Sequence, residues 1–536
     1  MKSIAVIIVC FVSFFLNGQT VYYVNANNGN DINDGLSWGS SFLTLQSALE
    51  QVNAGDEIWM ASGVYYPTAP PENLSGTPTL TDRDNTFQLR SGVTIYGGFS
   101  GVETMVSQRN IELNPTILSG NIGDSEVATD NVYHVIISVN NTINTNVDGV
   151  IVEQGYADGT GSIVVEGETL SRNYGGGITI RLSSLNMNEV LLRSNLASTG
   201  GSVYLSNPNK IDIIKSRFSN NAATNSAGLY SSGSNGSDSE INIINVIFDG
   251  NTATSWRGAI GLDYAFASEV NIINSLFFGN HAFSAAAIGT SESPINIENC
   301  TFTLNSSTTY EFASSTYNHF AETIMSSNTM TNTVFYNNNT LYDIEASGDL
   351  GGATSRIVVS HSYWESLDNY VNGGIFNAPP NSGALTTDPF MDSSDPDGDD
   401  DILGTPDDGL VPSPVINNLG LLTDNTPNND ITGSDRLVGT IDVGAYENQV
   451  LDIENYKLSK FELYPNPVDD YLNIHRKAMI NPETDFEIIN SLGQSIYKGK
   501  LSKDLKEFDV SNLRPGFYFV SISINSQKEI LKFIKR

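Results

Sequence analysis

The chain has 536 residues, length for about three ordinary domains. It carries 26 Lys and Arg against 60 Asp and Glu, a formal net charge of −34. Such an acidic chain is repelled by polyphosphate and by anionic lipid, which excludes broad nucleic-acid binding. Charged residues are only 16% and aromatics 10%, so this is not the composition of a disordered chain. The 47 Gly, with many Asn, Ser and Thr, predict short strands joined by turns. The charge is unevenly spread: residues 450–536 hold 13 basic and 12 acidic side chains, a net of +1, and the rest a net of −35. That break predicts a domain boundary near residue 450.

Residues 1–18 read as a signal peptide. Lys2 supplies the positive start and Ile4–Leu16 the apolar run. Gly18 suits the cleavage position before Gln19, although Leu16 fits poorly two residues earlier. A membrane anchor is the competing reading, but a span needs about 20 apolar residues. No later segment approaches that length, so no transmembrane segment is expected in the mature chain. Cys10 lies in the signal, which leaves Cys300 alone and excludes a disulfide-built scaffold. Cys300 reads as a packed structural residue.

Thr44 is a candidate helix N-cap, with Leu45, Ala48, Leu49 and Val52 on one helical face. Strands follow at Glu57–Ala61 and Gly63–Pro67. An amphipathic helix here would cover the open apolar end of whatever the strands build.

A repeat then dominates the middle of the chain. A large apolar residue stands three positions before an Asn at Leu192/Asn195, Phe218/Asn221, Phe248/Asn251, Phe277/Asn280, Phe302/Asn305 and Phe335/Asn338. The Asn recur at intervals of 26, 30, 29, 25 and 33 residues. Small-residue stretches closed by an apolar residue fall between them, as in Gly200-Gly201-Ser202-Val203, Ala227-Gly228-Leu229, Gly258-Ala259-Ile260 and Ala286-Ala287-Ile288. Short strands repeating at this period predict one coil each of a parallel β-solenoid, in which stacking buries what no single coil can. Equivalent residues then sit about 4.8 Å apart. Phe forms an internal column, and Asn forms a ladder whose amides both donate and accept. Asn also tolerates a left-handed turn, which is a second reason to expect it there. Gly and Ala pairs fit where a Cβ would crowd the next coil. A β-sandwich with fortuitous Asn turns is the alternative, but it does not require one residue type at one phase.

These signals resemble the repeats of chlamydial polymorphic outer-membrane proteins and of parallel β-helix proteins more broadly. Tyr22-Tyr23-Val24-Asn25-Ala26 through Tyr66-Pro67-Thr68, with Val93–Phe99, resembles the opening of secreted bacterial β-helix proteins. Asp407–Leu410, Ser413–Asn417 and Gly439–Glu447 resemble their closing segment, in the group described as "choice-of-anchor". The resemblance implies an all-β chain: a right-handed parallel β-helix over residues 19–448, then a small C-terminal β-sandwich.

Asp395, Asp397, Asp399 and Asp401 alternate around Gly398, which suits a hard-cation loop such as one for Ca²⁺. The bidentate Glu of an EF-hand is missing, and a solvated acidic turn is the other reading. No further cofactor is indicated. Catalytic signals are sparse. Pectate-lyase-like sites need Asp-held Ca²⁺ beside an Arg or Lys, and polygalacturonase-like sites need Asp pairs with His-Gly and Arg-x-Lys. None of the five His is followed by Gly, and no Arg-x-Lys occurs. A paired-carboxylate glycosidase stays open, because its spacing is spatial.

Residues 449–458 read as a linker, and residues 459–536 alternate as several strands. Tyr464-Pro465-Asn466-Pro467, Ser491-Leu492-Gly493-Gln494, Leu513-Arg514-Pro515-Gly516-Phe517-Tyr518 and the Lys-rich end containing Lys532 resemble the C-terminal sorting domain of the type IX secretion system of Bacteroidetes. The residues carrying that motif are Pro465, Asn466, Pro467, Gly493, Gly516, Tyr518 and Lys532. The resemblance implies the secretion machinery as a partner, with export to the surface or release outside the cell. Two functions are compatible with such cargo. One is a non-catalytic adhesion, structural or binding protein that contacts an extracellular glycan or protein. The other is a secreted polysaccharide lyase or glycoside hydrolase.

Overall fold

The computed structural model describes residues 18–536 apart from 234–238, 264–268, 309–314, 322–325, 349–354, 366–369, 373–374, 450–460, 477–483, 491–492, 502–504 and 525–526. The residues read as a signal peptide, except Gly18, and nearly all of those read as a linker lie outside the described residues. The chain divides into two compact units after Gln449.

In the first unit, each turn of chain visits the same strands in order. One coil runs through Ile178–Arg181, Leu185–Asn188, Leu191–Arg193 and Leu196–Thr199, and the next begins at Val203–Ser206. Each strand pairs in parallel with its equivalent one coil away, as in Leu192 beside Phe218 and Phe218 beside Phe248. The described strands gather into parallel sheets of ten, twelve, eleven and six strands. This is a parallel β-helix. It extends beyond the recognisable repeat, from Val21–Val24 to Gly383–Ala384.

The periodic residues fill the interior. Phe218, Phe248, Phe277, Phe302 and Phe335 are fully buried and stack at centroid separations of 4.6, 5.0, 4.5 and 4.4 Å. Stacked aromatic pairs add about 0.5–1.5 kcal/mol each beyond the area they bury. At the following corner the Asn form an axial chain. Asn251 Nδ2 donates to Asn280 Oδ1 at 2.9 Å and to Phe218 O one coil back at 2.8 Å. Its own Oδ1 accepts from the backbone N–H and the amide of Asn221. A primary amide is the neutral side chain that can serve both neighbours at once, so no polar group is orphaned. The left-handed turn expected at these Asn falls one residue earlier, at Ser194, Asn220, Gly250, Gly279, Leu304 and Asn337, all at positive φ. The ladder Asn are therefore selected by axial hydrogen bonding, and the preceding residue turns the chain.

The small-residue stretches mark the corner where coils approach most closely. A Cβ on Gly258 would lie 2.0 Å from Ala286 O. At the open N-terminal end, Thr44 Oγ1 accepts from Ser47 N, and the helix Leu45–Leu49 buries Leu45, Ala48 and Leu49. This helix covers the apolar end as its pattern requires, because the first coil has no stacking partner.

Residues 385–449 close the unit with almost no strand. Leu385, Phe390, Leu410, Ile416, Val443 and Tyr446 pack onto Leu276 and Val334 of the eleven-strand sheet. Arg436 is fully buried there. It donates to Asn274 Oδ1, Gly444 O and Tyr446 O, and lies 3.8 Å from the Glu447 carboxylate.

The second unit is two antiparallel sheets of three and four described strands. Phe461, Leu472, Ile474, Phe486, Val520, Ile522 and Phe533 form its core, as expected of a small sandwich.

Candidate functional site

Along the outer face of the ten-strand sheet, one row of outward positions runs Tyr204, Tyr230, Gly261, Gly289, Asn318, Glu345. Tyr174, Tyr204 and Tyr230 stack at 4.8 and 5.6 Å. The two glycines then interrupt the row and leave a notch. Arg257, at a left-handed φ of 65°, lays its side chain across the notch. A Cβ on Gly261 or Gly289 would each lie 2.7 Å from the Arg257 side chain. The glycines are thus a spatial requirement of the arginine.

The notch opens into a cavity of about 530 Å³. Its lining includes Trp256, Arg257, Asp263, Asn318, Phe320 and Glu345. Trp256 is 48% exposed, an unusual setting for a large apolar ring. Arg257 pairs with Asp263, Nη1 donating to Oδ2 at 2.9 Å and Nη2 to Oδ1. Tyr230 Oη donates to the same Asp263 Oδ2 at 2.9 Å. Burial, and then the Asp263 charge, push the Tyr230 hydroxyl far above the usual phenol range. Glu345 is 2% exposed and its Oε2 has no hydrogen-bond partner among the described residues. Burial raises its carboxyl, while Asn318 and Ser315 pull the other way.

Two carboxylates therefore border one cavity, but their register separates them. Asp263 pairs across to Ser291, Phe320 lies beyond, and Ser347 completes the row on the rung that carries Glu345. Three rung spacings of about 4.8 Å separate the two rungs by about 14 Å along the axis, and Glu345 is offset by two residues along its strand. Tyr230 also holds the Asp263 carboxylate from the rung on the far side from Glu345.

None of these residues was singled out by motif. The readable signal was the change from Val203-Tyr204 and Leu229-Tyr230 to Ile260-Gly261 and Ile288-Gly289 at one phase of the repeat. Asp395, Asp397, Asp399 and Asp401 fall on successive turns, with Asp395, Asp399 and Asp401 exposed. Among the described residues no three Asp, Glu, His or Cys side chains gather as a metal-holding group. Hydrogen bonds in this segment go to Asp400, from Ile402 N at 2.8 Å, and to Asp408, from Gly404 N at 2.7 Å.

In the second unit, the Pro465-Asn466-Pro467 turn is fastened to the last strand. Asn466 Nδ2 donates to Lys532 O at 3.0 Å, and Ile534 N donates to Asn466 Oδ1 at 2.9 Å. Lys532 Nζ sits 4.4 Å over the Phe517 ring, and Tyr518 Oη donates to Arg514 O at 2.9 Å. Gly493 takes a left-handed turn, φ 76°. Residues 462–536 match the family described as the secretion system C-terminal sorting domain. This unit is a type IX sorting domain. The sorting domain marks the protein for export to the cell surface or beyond. Among the described residues no helix is long and apolar enough to cross a membrane.

Among solved structures, pectate lyase Pel9A is similar at 14% identity and TM-score 0.38, over 80% of this chain and 96% of that one. A rhamnogalacturonan lyase is similar at 15% identity and TM-score 0.30, over 64% and 74%. XylC in complex with xylose is similar at 10% identity and TM-score 0.29, over 70% and 88%. Comparison with curated protein sequences gives no match.

Proposed function

We propose that the exported β-helix is a non-catalytic glycan-binding protein, displayed at the cell surface or released, and that the notch beside Trp256 is its binding site. The observation carrying this reading is the half-exposed indole at the edge of a cavity whose remaining lining is rich in polar groups. Sugars offer apolar ring faces and many hydroxyls, and an aromatic platform among hydrogen-bonding side chains matches both. A rigid parallel scaffold holds such groups in place at little entropic cost on binding.

The second reading, a polysaccharide lyase or glycoside hydrolase, draws on Asp263 and Glu345 bordering one cavity. Tyr230 holds the Asp263 carboxylate from the rung away from Glu345, which weighs against a two-carboxylate hydrolysis, and the engagement of Arg257 by Asp263 weighs against Arg257 as a base. The test is retention of the whole chain on a panel of immobilised glycans, alongside assays for reducing ends and for unsaturated products. Binding without turnover, weakened about tenfold or more by Trp256→Ala, is the expected result. Sustained product release from any glycan overturns the non-catalytic reading.

A further inference from the structure

Resting on that binding site, we infer that the notch selects neutral glycans over uronate-bearing ones, with Asp263 as the residue that sets the choice. Arg257 is the one cation among the described lining residues. Both of its terminal nitrogens are held by the two oxygens of Asp263. The arginine therefore offers no open charge to a sugar carboxylate. It is also fixed in place, because its backbone is in the left-handed region and Gly261 and Gly289 shape its bed.

On the other wall, Glu345 adds a carboxyl whose Oε2 has no hydrogen-bond partner among the described residues, and Arg257 is the lone described cation of the lining. A ligand carboxylate would enter a cavity with no free positive group among its described lining residues and at least one acidic neighbour. The surrounding chain, with a net charge of −34, adds to the repulsion. Discrimination of this kind comes from what the site withholds from the wrong ligand. A neutral pyranoside incurs none of these penalties. It can place a ring face on Trp256 and hydroxyls on Asn318 and on the outer edge of the Arg257–Asp263 pair.

The test compares retention of the whole chain on neutral glucan, galactan and xylan with retention on polygalacturonate, with and without calcium. Two variants invert the charge logic by different routes. Asp263→Asn releases Arg257. Asn225 also lines the cavity, paired with Trp256 one coil on, and Asn225→Lys adds a cation there without touching the Arg257–Asp263 pair. Circular dichroism melts show that each is folded. Binding to neutral glycans about tenfold or more tighter than to polygalacturonate, with polygalacturonate binding gained in each variant that folds, supports the inference. Wild-type binding to polygalacturonate as tight as to any neutral glycan overturns the inference and leaves the binding reading standing. Folded variants that gain no polygalacturonate binding also overturn it. Absence of binding to every glycan overturns the reading itself, and the inference with it.

Discussion

The coils of the β-helix and the segment that closes them are held by opposite strategies. In the periodic coils, from Asn195 to Asn338, successive rungs repeat the same contacts: a Phe on a Phe, an Asn amide on an Asn amide. The loss of one contact leaves its neighbours in place. The closing segment, residues 385–449, has almost no strand, and its chain is fixed by particular side chains. Arg436 alone donates to three acceptors, and Tyr446 Oη donates to Asp408 at 2.6 Å. Repetition distributes stability, whereas an irregular chain concentrates it in a few buried polar groups.

The largest effect that separates the two regions is expected at Arg436. Arg436→Ala leaves Asn274 Oδ1, Gly444 O and Tyr446 O buried without their donor. It should lower unfolding stability by about 3 kcal/mol or more in chemical denaturation, at about 1–3 kcal/mol for each orphaned acceptor. A loss no greater than that of a surface substitution would remove the contrast.

Asn251→Ala breaks one link of the ladder and should cost about 1–3 kcal/mol for the groups it orphans. Hydrogen exchange should quicken at the adjoining corners near Asn221 and Asn280 and hardly at all several rungs away. Uniform loosening of the whole helix would show that the coils are not redundant.

Two buried groups give the pH dependence opposite signs. Burial pushes Glu447 up to about 8 from 4.5, with the Asp442 charge adding to it. The folded state therefore holds a proton that the unfolded chain has lost, and this contribution to stability is lost as pH rises from about 4.5 to about 8. In the coils, burial pushes His134 down to about 4 from 6.5. Its contribution is lost as pH falls from about 6.5 to about 4. Glu447→Gln should flatten the alkaline limb of a melting-temperature profile and leave the acid limb in place. An unchanged alkaline limb would dissociate Glu447 from that decline.

The smallest expected change in stability is at the notch. Trp256→Ala should stay within about 0.5 kcal/mol, because the ring is half exposed, while glycan retention falls. A large stability loss would recast Trp256 as a packing residue of the corner.

Much of the coil interior was legible in the sequence. Phe248 and Asn251 recur at one phase because stacking presents the same environment at every rung, and identical environments select identical residues. Outside the periodic stretch Glu57–Ala61 was legible as a strand with the bounds it has, but coils such as the one through Thr145–Asp148 were harder to read. Long excursions separate them, including the hairpin Ser162–Val165 with Glu168–Ser171. The notch was not legible as a site: the change from Tyr to Gly at its phase can be read, but nothing in the sequence brings Arg257 and Glu345 to it.

The sequence by itself determined the periodic interior, the capping helix and the sorting motif, since each rests on residues near one another in the chain or recurring at a readable interval. Only the tertiary structure decided that Arg257 lies over Gly289 and shares a cavity with Glu345. Those residues come from successive coils of unequal length, and which of them become neighbours 4.8 Å apart or a few rungs away is fixed only once strand register is set.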